Sequence, residues 1–108
     1  MSVRDLTWSK TEKKIARAAF DNAYRREMQE IKEKVQKKVQ NFKEDQDVWE
    51  LYNYLSARRK DMGGKYDYRY SVLIYVFGRL LREGYVTEEE LQGLSEEKIT
   101  YIKRLVEF

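Results

Sequence analysis

The side chains that most often carry out chemistry are largely missing from this chain. It contains no histidine and no cysteine. That removes the commonest general base, the thiol nucleophile, disulfides and the usual transition-metal ligands. Carboxylates remain as candidates for acid–base work: Asp45 with Asp47, and the run Glu88-Glu89-Glu90. Each group falls where a helix would begin, and negative charge there complements the helix dipole. Gly63-Gly64 matches neither the Walker nor the dinucleotide-binding spacing and reads as a turn. The expectation is therefore a protein with no catalytic residues, no bound metal and no cofactor.

Binding is the remaining class of function. Lys10, Lys13, Lys14 and Arg17 form one basic cluster, and Lys32, Lys34, Lys37 and Lys38 form another. Glu12, Glu27, Glu30 and Glu33 are interleaved with them, which reads as a solvated face with i, i+4 ion pairs. The net charge is only +3, so nucleic acid is not the expected partner. Trp49, Tyr52, Asn53 and Arg59 are a different kind of cluster, because Trp, Tyr and Arg dominate the energetic centres of protein interfaces. They have a plainer reading too. Trp49 could pack in a dimer core, and Arg59 could pair with a neighbouring carboxylate. Composition and spacing leave the two readings level. Tyr66, Tyr68 and Tyr70 read as packing at a helix entry rather than as a second contact surface.

The elements that would position these residues are helices. Proline is absent, and all five glycines lie at position 63 or later. The first sixty residues therefore lack both strong structure breakers. Ser9-Lys10-Thr11-Glu12 fits a capping box. From there Phe20, Tyr24, Met28, Ile31, Val35, Val39 and Phe42 recur at steps of three and four, with Phe20, Ile31 and Phe42 spaced by elevens. A helix from Ser9 to Phe42 would be roughly 50 Å long. A compact domain of this size is only about 35 Å across. Such a helix outruns its own domain, and a second copy is the simplest cover for its apolar stripe.

A second helix is expected to start at Asp47, with Glu50 completing a capping box, and to stop at Gly63-Gly64 in left-handed geometry. Val48, Leu51, Tyr52, Leu55 and Arg59 share one stripe, with Trp49 about 100° away beside Asn53 and Ser56. Tyr66 to Glu83 reads as a third helix, apolar on nearly every side and central to a small bundle, with Gly84 as its stop. Thr87 to Gly93 reads as a short helix and Ser95 as the cap of a last one, with Ile99, Ile102, Leu105 and Val106 inward. The fold class is therefore all-α, one domain over 1–108: long stalk helices to about 62, then a helical head from about 65 to 108. Residues 1–43 hold twelve basic and six acidic side chains, whereas 85–108 hold three basic and six acidic, so a basic stalk meets a mildly acidic end. The longest apolar run, Val72 to Phe77, is far too short to span a membrane or serve as a signal peptide, and a cytoplasmic protein is expected.

Three blocks are together more specific than any of these patterns. Asp47-Val48-Trp49-Glu50-Leu51-Tyr52-Asn53-Tyr54-Leu55-Ser56-Ala57-Arg58-Arg59 is followed by Gly64-Lys65-Tyr66-Asp67-Tyr68-Arg69 and Ser71-Val72-Leu73-Ile74-Tyr75-Val76-Phe77. With Trp8-Ser9, Ala19-Phe20, Tyr24-Arg25-Arg26-Glu27 and Leu81-Arg82-Glu83-Gly84, they resemble the cyanobacterial fluorescence recovery protein family over nearly the whole chain.

The resemblance implies an all-helical homodimer with a stalk and a small head on each protomer, and no enzymatic activity. It implies a partner, the photoactivated orange carotenoid protein or a related carotenoid-binding domain, bound mainly through the partner's C-terminal domain. The implied action is to speed the red-to-orange return and help release that partner from the phycobilisome, ending non-photochemical quenching. By residue, the resemblance places partner contacts at Trp49 and Arg59, with Tyr52 and Asn53 in the same patch and Tyr75 and Tyr101 on the head. It places a dimer contact at Val48, beside the stripe residues Val35, Val39, Phe42 and Leu51. The family usually carries His-Asp where this chain has Tyr52-Asn53, which alters the charge and hydrogen bonding of the patch. A dimeric adaptor of the same fold for a different small α+β partner, in a host without phycobilisomes, is the first alternative, and a helical nucleic-acid binder ranks behind it.

Overall fold

Ser9 opens the first long helix as its spacing predicts. In the computed structural model, which describes residues 3–107, its hydroxyl accepts the Glu12 N–H at 3.1 Å. The Glu12 carboxylate accepts the Ser9 N–H at 3.0 Å, so each satisfies a donor the helix leaves unpaired. Helix α1 then runs unbroken over Lys10–Gln40. It ends at Asn41, whose backbone N–H donates to the Lys37 and Lys38 carbonyls, while the Phe42 N–H donates to the Val39 carbonyl.

The reversal that follows is tight. Helix α2 spans Asp45–Lys65, and Asp47 is not its cap but its third residue. The Asp47 carboxylate reaches back to accept the N–H groups of Glu44 at 3.0 Å and Lys43 at 2.7 Å. Those two donors hold its carboxyl below the ordinary range. The turn folds α2 antiparallel against the outer half of α1. The ammonium groups of Lys34 and Lys38 lie over the Tyr54 ring, 5.9 and 5.0 Å from its centre. The molecule measures 55 × 24 × 22 Å, elongated because α1 alone is about 47 Å long.

Two expectations fail in the next stretch. Gly63 and Gly64 do not terminate α2. Both lie inside it, and among the described residues only Gly84 and Gly93 have positive φ. Tyr66 to Val72 is irregular rather than helical, and helix α3 covers only Leu73–Glu83. The tyrosines explain the difference. Tyr66 and Tyr68 both meet Phe20 edge-on, and Tyr68, Tyr70 and Trp8 continue the contact toward the N-terminal end of α1. Alternate residues of an extended segment can cover α1 in this way, whereas a helical turn would point them apart.

Beyond α3 the chain follows the sequence reading more closely. Gly84 caps α3 in left-handed geometry, with φ of +84°. Thr87 and Glu90 exchange reciprocal bonds, but in place of the expected short helix they start only a turn of 3-10 helix, Glu89–Leu91. Ser95 caps helix α4, Glu96–Val106. The structure is all-α. Its core joins Leu73, Ile74, Phe77 and Leu80 of α3 to Ile102 of α4 and to Ala16, Ala19, Phe20 and Ala23 of α1. The three alanines let α1 lie close to this core. Gly78 does the same for α4, because a Cβ there would come within 2.8 Å of Leu105. Central as it is, α3 leaves Tyr75 exposed.

A buried ion pair fixes the first turn of α1 to α4. Lys98 donates to the Glu12 carboxylate at 3.0 Å and to the Thr7 carbonyl at 2.6 Å, and the Ser95 N–H donates to Glu12 at 2.9 Å. Glu12 is thus not on a solvated face. Burial pushes its carboxyl up, but the Ser9 and Ser95 N–H groups and then Lys98 outweigh this and bring it down to about 2.

Two outcomes follow for stability. Phe77→Ala empties the centre of the core and is expected to cost about 3–5 kcal/mol in urea denaturation. Glu12 contributes in full above its ordinary value of 4.5, and the contribution disappears as the pH falls toward about 2. The stability gap between the wild type and Glu12→Gln should therefore be widest near neutrality and shrink through that window, followed by urea titrations at stepped pH.

Candidate functional site

Glu27 sits on the apolar side of α1, one turn beyond Ala23 and one before Ile31, and is wholly buried. One of its carboxylate oxygens accepts from Arg58 at 2.6 Å and from Lys65 at 2.7 Å. The other accepts the Tyr66 hydroxyl at 2.8 Å. Arg58 and Lys65 are seven residues apart, two turns along one face of α2, so a single α1 residue holds α2 at two points. Lys65 also donates to Glu83 of α3 at 2.7 Å. Arg79 of α3 closes the ring, donating to Glu83 and to Asp61, each at 2.7 Å. Burial pushes the Glu83 carboxyl up, and Lys65 and Arg79 more than reverse this. Arg79 also draws the Asp61 carboxyl down. Burial and the bond to Glu27 both push the Tyr66 hydroxyl up. The sequence reading placed Glu27 on a solvated face and missed this cluster. The signal was present: Ala16, Phe20, Ala23, Glu27 and Ile31 follow one another at steps of four, three, four and four.

With one face of α2 fixed by Arg58, Asp61 and Lys65, the opposite face is set toward solvent. Trp49 is 61% exposed and Tyr52 is 63% exposed. Asn53 and Arg59 are exposed on the same helix. Trp49 and Arg59 are about 15 Å apart along its axis. Among the described residues Arg59 forms no ion pair; its neighbour Arg58 takes the buried carboxylate instead. The plainer reading of Arg59 as a paired residue is therefore set aside within the chain. Tyr75 and Tyr101 lie elsewhere, on α3 and α4, with Tyr75 exposed and Tyr101 half-buried.

The stripe residues flank this face. Val39 and Val48 are exposed, while Val35, Phe42 and Leu51 are half-buried. Tyr24 and Leu55 add to the uncovered apolar surface nearer the core. A groove of about 490 Å³ runs between α1 and α2 there, lined by Tyr24, Met28, Leu55, Arg59 and Met62 among others. Apolar and aromatic surface gathered along one hairpin, with a cation left over, is the composition of a protein interface. Among the described residues no group of three or more acidic side chains is placed to hold a metal ion. Among the described residues no helix is long and apolar enough to cross a membrane.

Known proteins share this fold. The family model described as photoprotection regulator fluorescence recovery protein matches residues 8–106. The fluorescence recovery protein of Synechocystis sp. (strain PCC 6803) is 40% identical over 105 residues, covering 97% of this chain and 96% of that protein. Its solved structure superposes with a TM-score of 0.91 at 41% identity, over 94% of this chain and 100% of the other. The structure of the Fremyella diplosiphon protein matches with the same TM-score, identity and coverage.

Removing the buried carboxylate tests what orients the exposed face. Glu27→Ala leaves Lys65 and Arg58 without their shared partner and should cost about 3 kcal/mol or more. Thermal unfolding by far-UV circular dichroism reads the loss.

Proposed function

Because the chain belongs to the fluorescence recovery protein family of photoprotection regulators, we propose that it binds the photoactivated orange carotenoid protein and speeds its return to the orange form. The partner's C-terminal domain is the part engaged. The return helps release the partner from the phycobilisome and ends non-photochemical quenching. The activity is regulatory, with no chemical step. The protein works in the cytoplasm and reaches the thylakoid surface only through its partner.

One observation carries this reading: Trp49 stands exposed on the face of α2 away from its buried contacts, and Arg59, exposed at the edge of the groove between α1 and α2, forms no ion pair among the described residues. Tyr52 and Asn53 extend that contact, and Tyr75 and Tyr101 supply a second one on the head. Val35, Val39, Phe42, Val48 and Leu51 pair two copies into a homodimer. In that reading residues to about 62 form the stalk and residues from about 65 the head. A regulator that accelerates a conformational return must bind the intermediate or transition state more tightly than the red form. An extended dimer can do so by bridging the partner's separated domains, which raises their effective concentration.

Tyr52-Asn53 favours a second reading, an adaptor of the same fold for a different small α+β protein. One experiment separates the two. The partner is photoactivated, this chain is added, and the red-to-orange absorbance change is followed in the dark at two salt concentrations. Faster recovery is expected, with Arg59→Ala and Trp49→Ala each weakening binding at least tenfold and leaving far-UV helicity unchanged. Absence of acceleration and of any complex on a sizing column, against several orange carotenoid proteins, would favour the adaptor. On the same column Val48→Asp should elute as a monomer.

A further inference from the structure

The first two turns of α1 carry charge where a helix tolerates it least. Lys10, Lys13, Lys14 and Arg17 are all exposed there. Cations at a helix start oppose its dipole, and Lys10 with Lys14, and Lys13 with Arg17, are like charges one turn apart. Nearby carboxylates give little relief. Glu12 is turned inward to Lys98, and Asp21, 3.3 Å from Arg17, is the only acid paired with the cluster among the described residues. Lys13 and Arg17 lie over the Tyr70 and Tyr68 rings, but Lys10 and Lys14 have no such support. Their placement along α1 is informative. Lys10, Lys14, Arg17 and Asp21 are followed, at the same steps of three and four, by Tyr24, Met28, Ile31, Val35 and Val39. One face of α1 is therefore basic at its start and apolar beyond it. At the far end, the turn into α2 carries exposed Glu44 and Asp45, with Lys43 the only cation between residues 41 and 47.

We propose that a second copy lies antiparallel along this face, with Glu44 and Asp45 of its acidic turn against Lys14 and Arg17 at the basic start of α1. The inference rests on the homodimer reading above and adds the direction and register of the pair. The two-fold axis then passes near Ile31. Arg17 and Asp45 stand equally far from Ile31 along the chain, about 21 Å each way at helical rise. Each end of the face meets its opposite charge, and the symmetry makes this happen at both ends. A parallel pair would instead set cation against cation at one end and acid against acid at the other. The apolar stretch supplies contact area. The charged ends select the register, because a slip of one turn separates acid from base.

The absence of native cysteine makes the direction testable. Ala18→Cys and Gln46→Cys are made in separate chains, at exposed positions beside the charges rather than in place of them. The two chains are coexpressed with different tags and treated with a short bismaleimide. A covalent dimer holding one chain of each kind is expected, in large excess over what either variant forms alone. In sedimentation equilibrium Lys14→Glu/Arg17→Glu should weaken the dimer about tenfold, and adding Glu44→Lys/Asp45→Lys should recover most of that loss. Circular dichroism checks that each variant is folded. Cross-linking within one variant alone would mean a parallel pair, and its absence from the mixture would mean another register. Either result would overturn the proposal while a dimeric wild type keeps the homodimer reading. So would a dimer constant that the first charge reversal leaves unchanged or the second fails to recover. A wild type that sediments as a monomer would remove the homodimer reading and this register with it.

Discussion

Glu27 is a carboxylate shut away from water, and it survives there because three donors converge on it. Taking a charge out of water is so costly that its partners are not optional. The chain must bring Arg58, Lys65 and Tyr66 to one point on α1, which fixes the register of α2, its antiparallel direction and the place where the head departs. Lys65 passes the constraint to α3 through Glu83, and Arg79 returns it to α2 through Asp61. An apolar cluster of similar size would tolerate several rotations of α2 about its axis. A shared buried carboxylate is more selective. That selectivity decides which face of α2 is left to the solvent.

The sequence made the helices legible and the junction between them less so. Ser9 and Ser95 were readable as caps because a hydroxyl three residues before a free N–H has one obvious use. Asp47 was misread, because an acidic residue near a helix start can be the cap or can reach back to it, and only the turn geometry decides. Gly63-Gly64 looked like a stop because glycine usually is one after a periodic run, yet the buried partners of Lys65 extend the helix past it. Tyr66 to Val72 failed for a related reason, since packing against Phe20 and Trp8 overrode a pattern compatible with a helix.

The candidate site divides in the same way. Trp49, Tyr52 and Arg59 could be singled out by type. Their exposure could not be read until Arg58, rather than Arg59, was seen to take the buried carboxylate. Two adjacent arginines, identical in sequence terms, have opposite roles because successive helical residues point about 100° apart. Glu27 was hidden by its charge. A periodicity count that admits only apolar residues skips the one position on the stripe where a buried acid sets the geometry.

The exposed face of α2 is best examined by side-chain footprinting. Hydroxyl radicals oxidise accessible Trp and Tyr, so the rates at Trp49 and Tyr52 can be compared with and without photoactivated orange carotenoid protein. A contact through this face would slow oxidation of both residues in the complex and leave Tyr70 unchanged. Equal rates at Trp49 and Tyr52 with and without the bound partner would contradict it and move the contact elsewhere on the molecule.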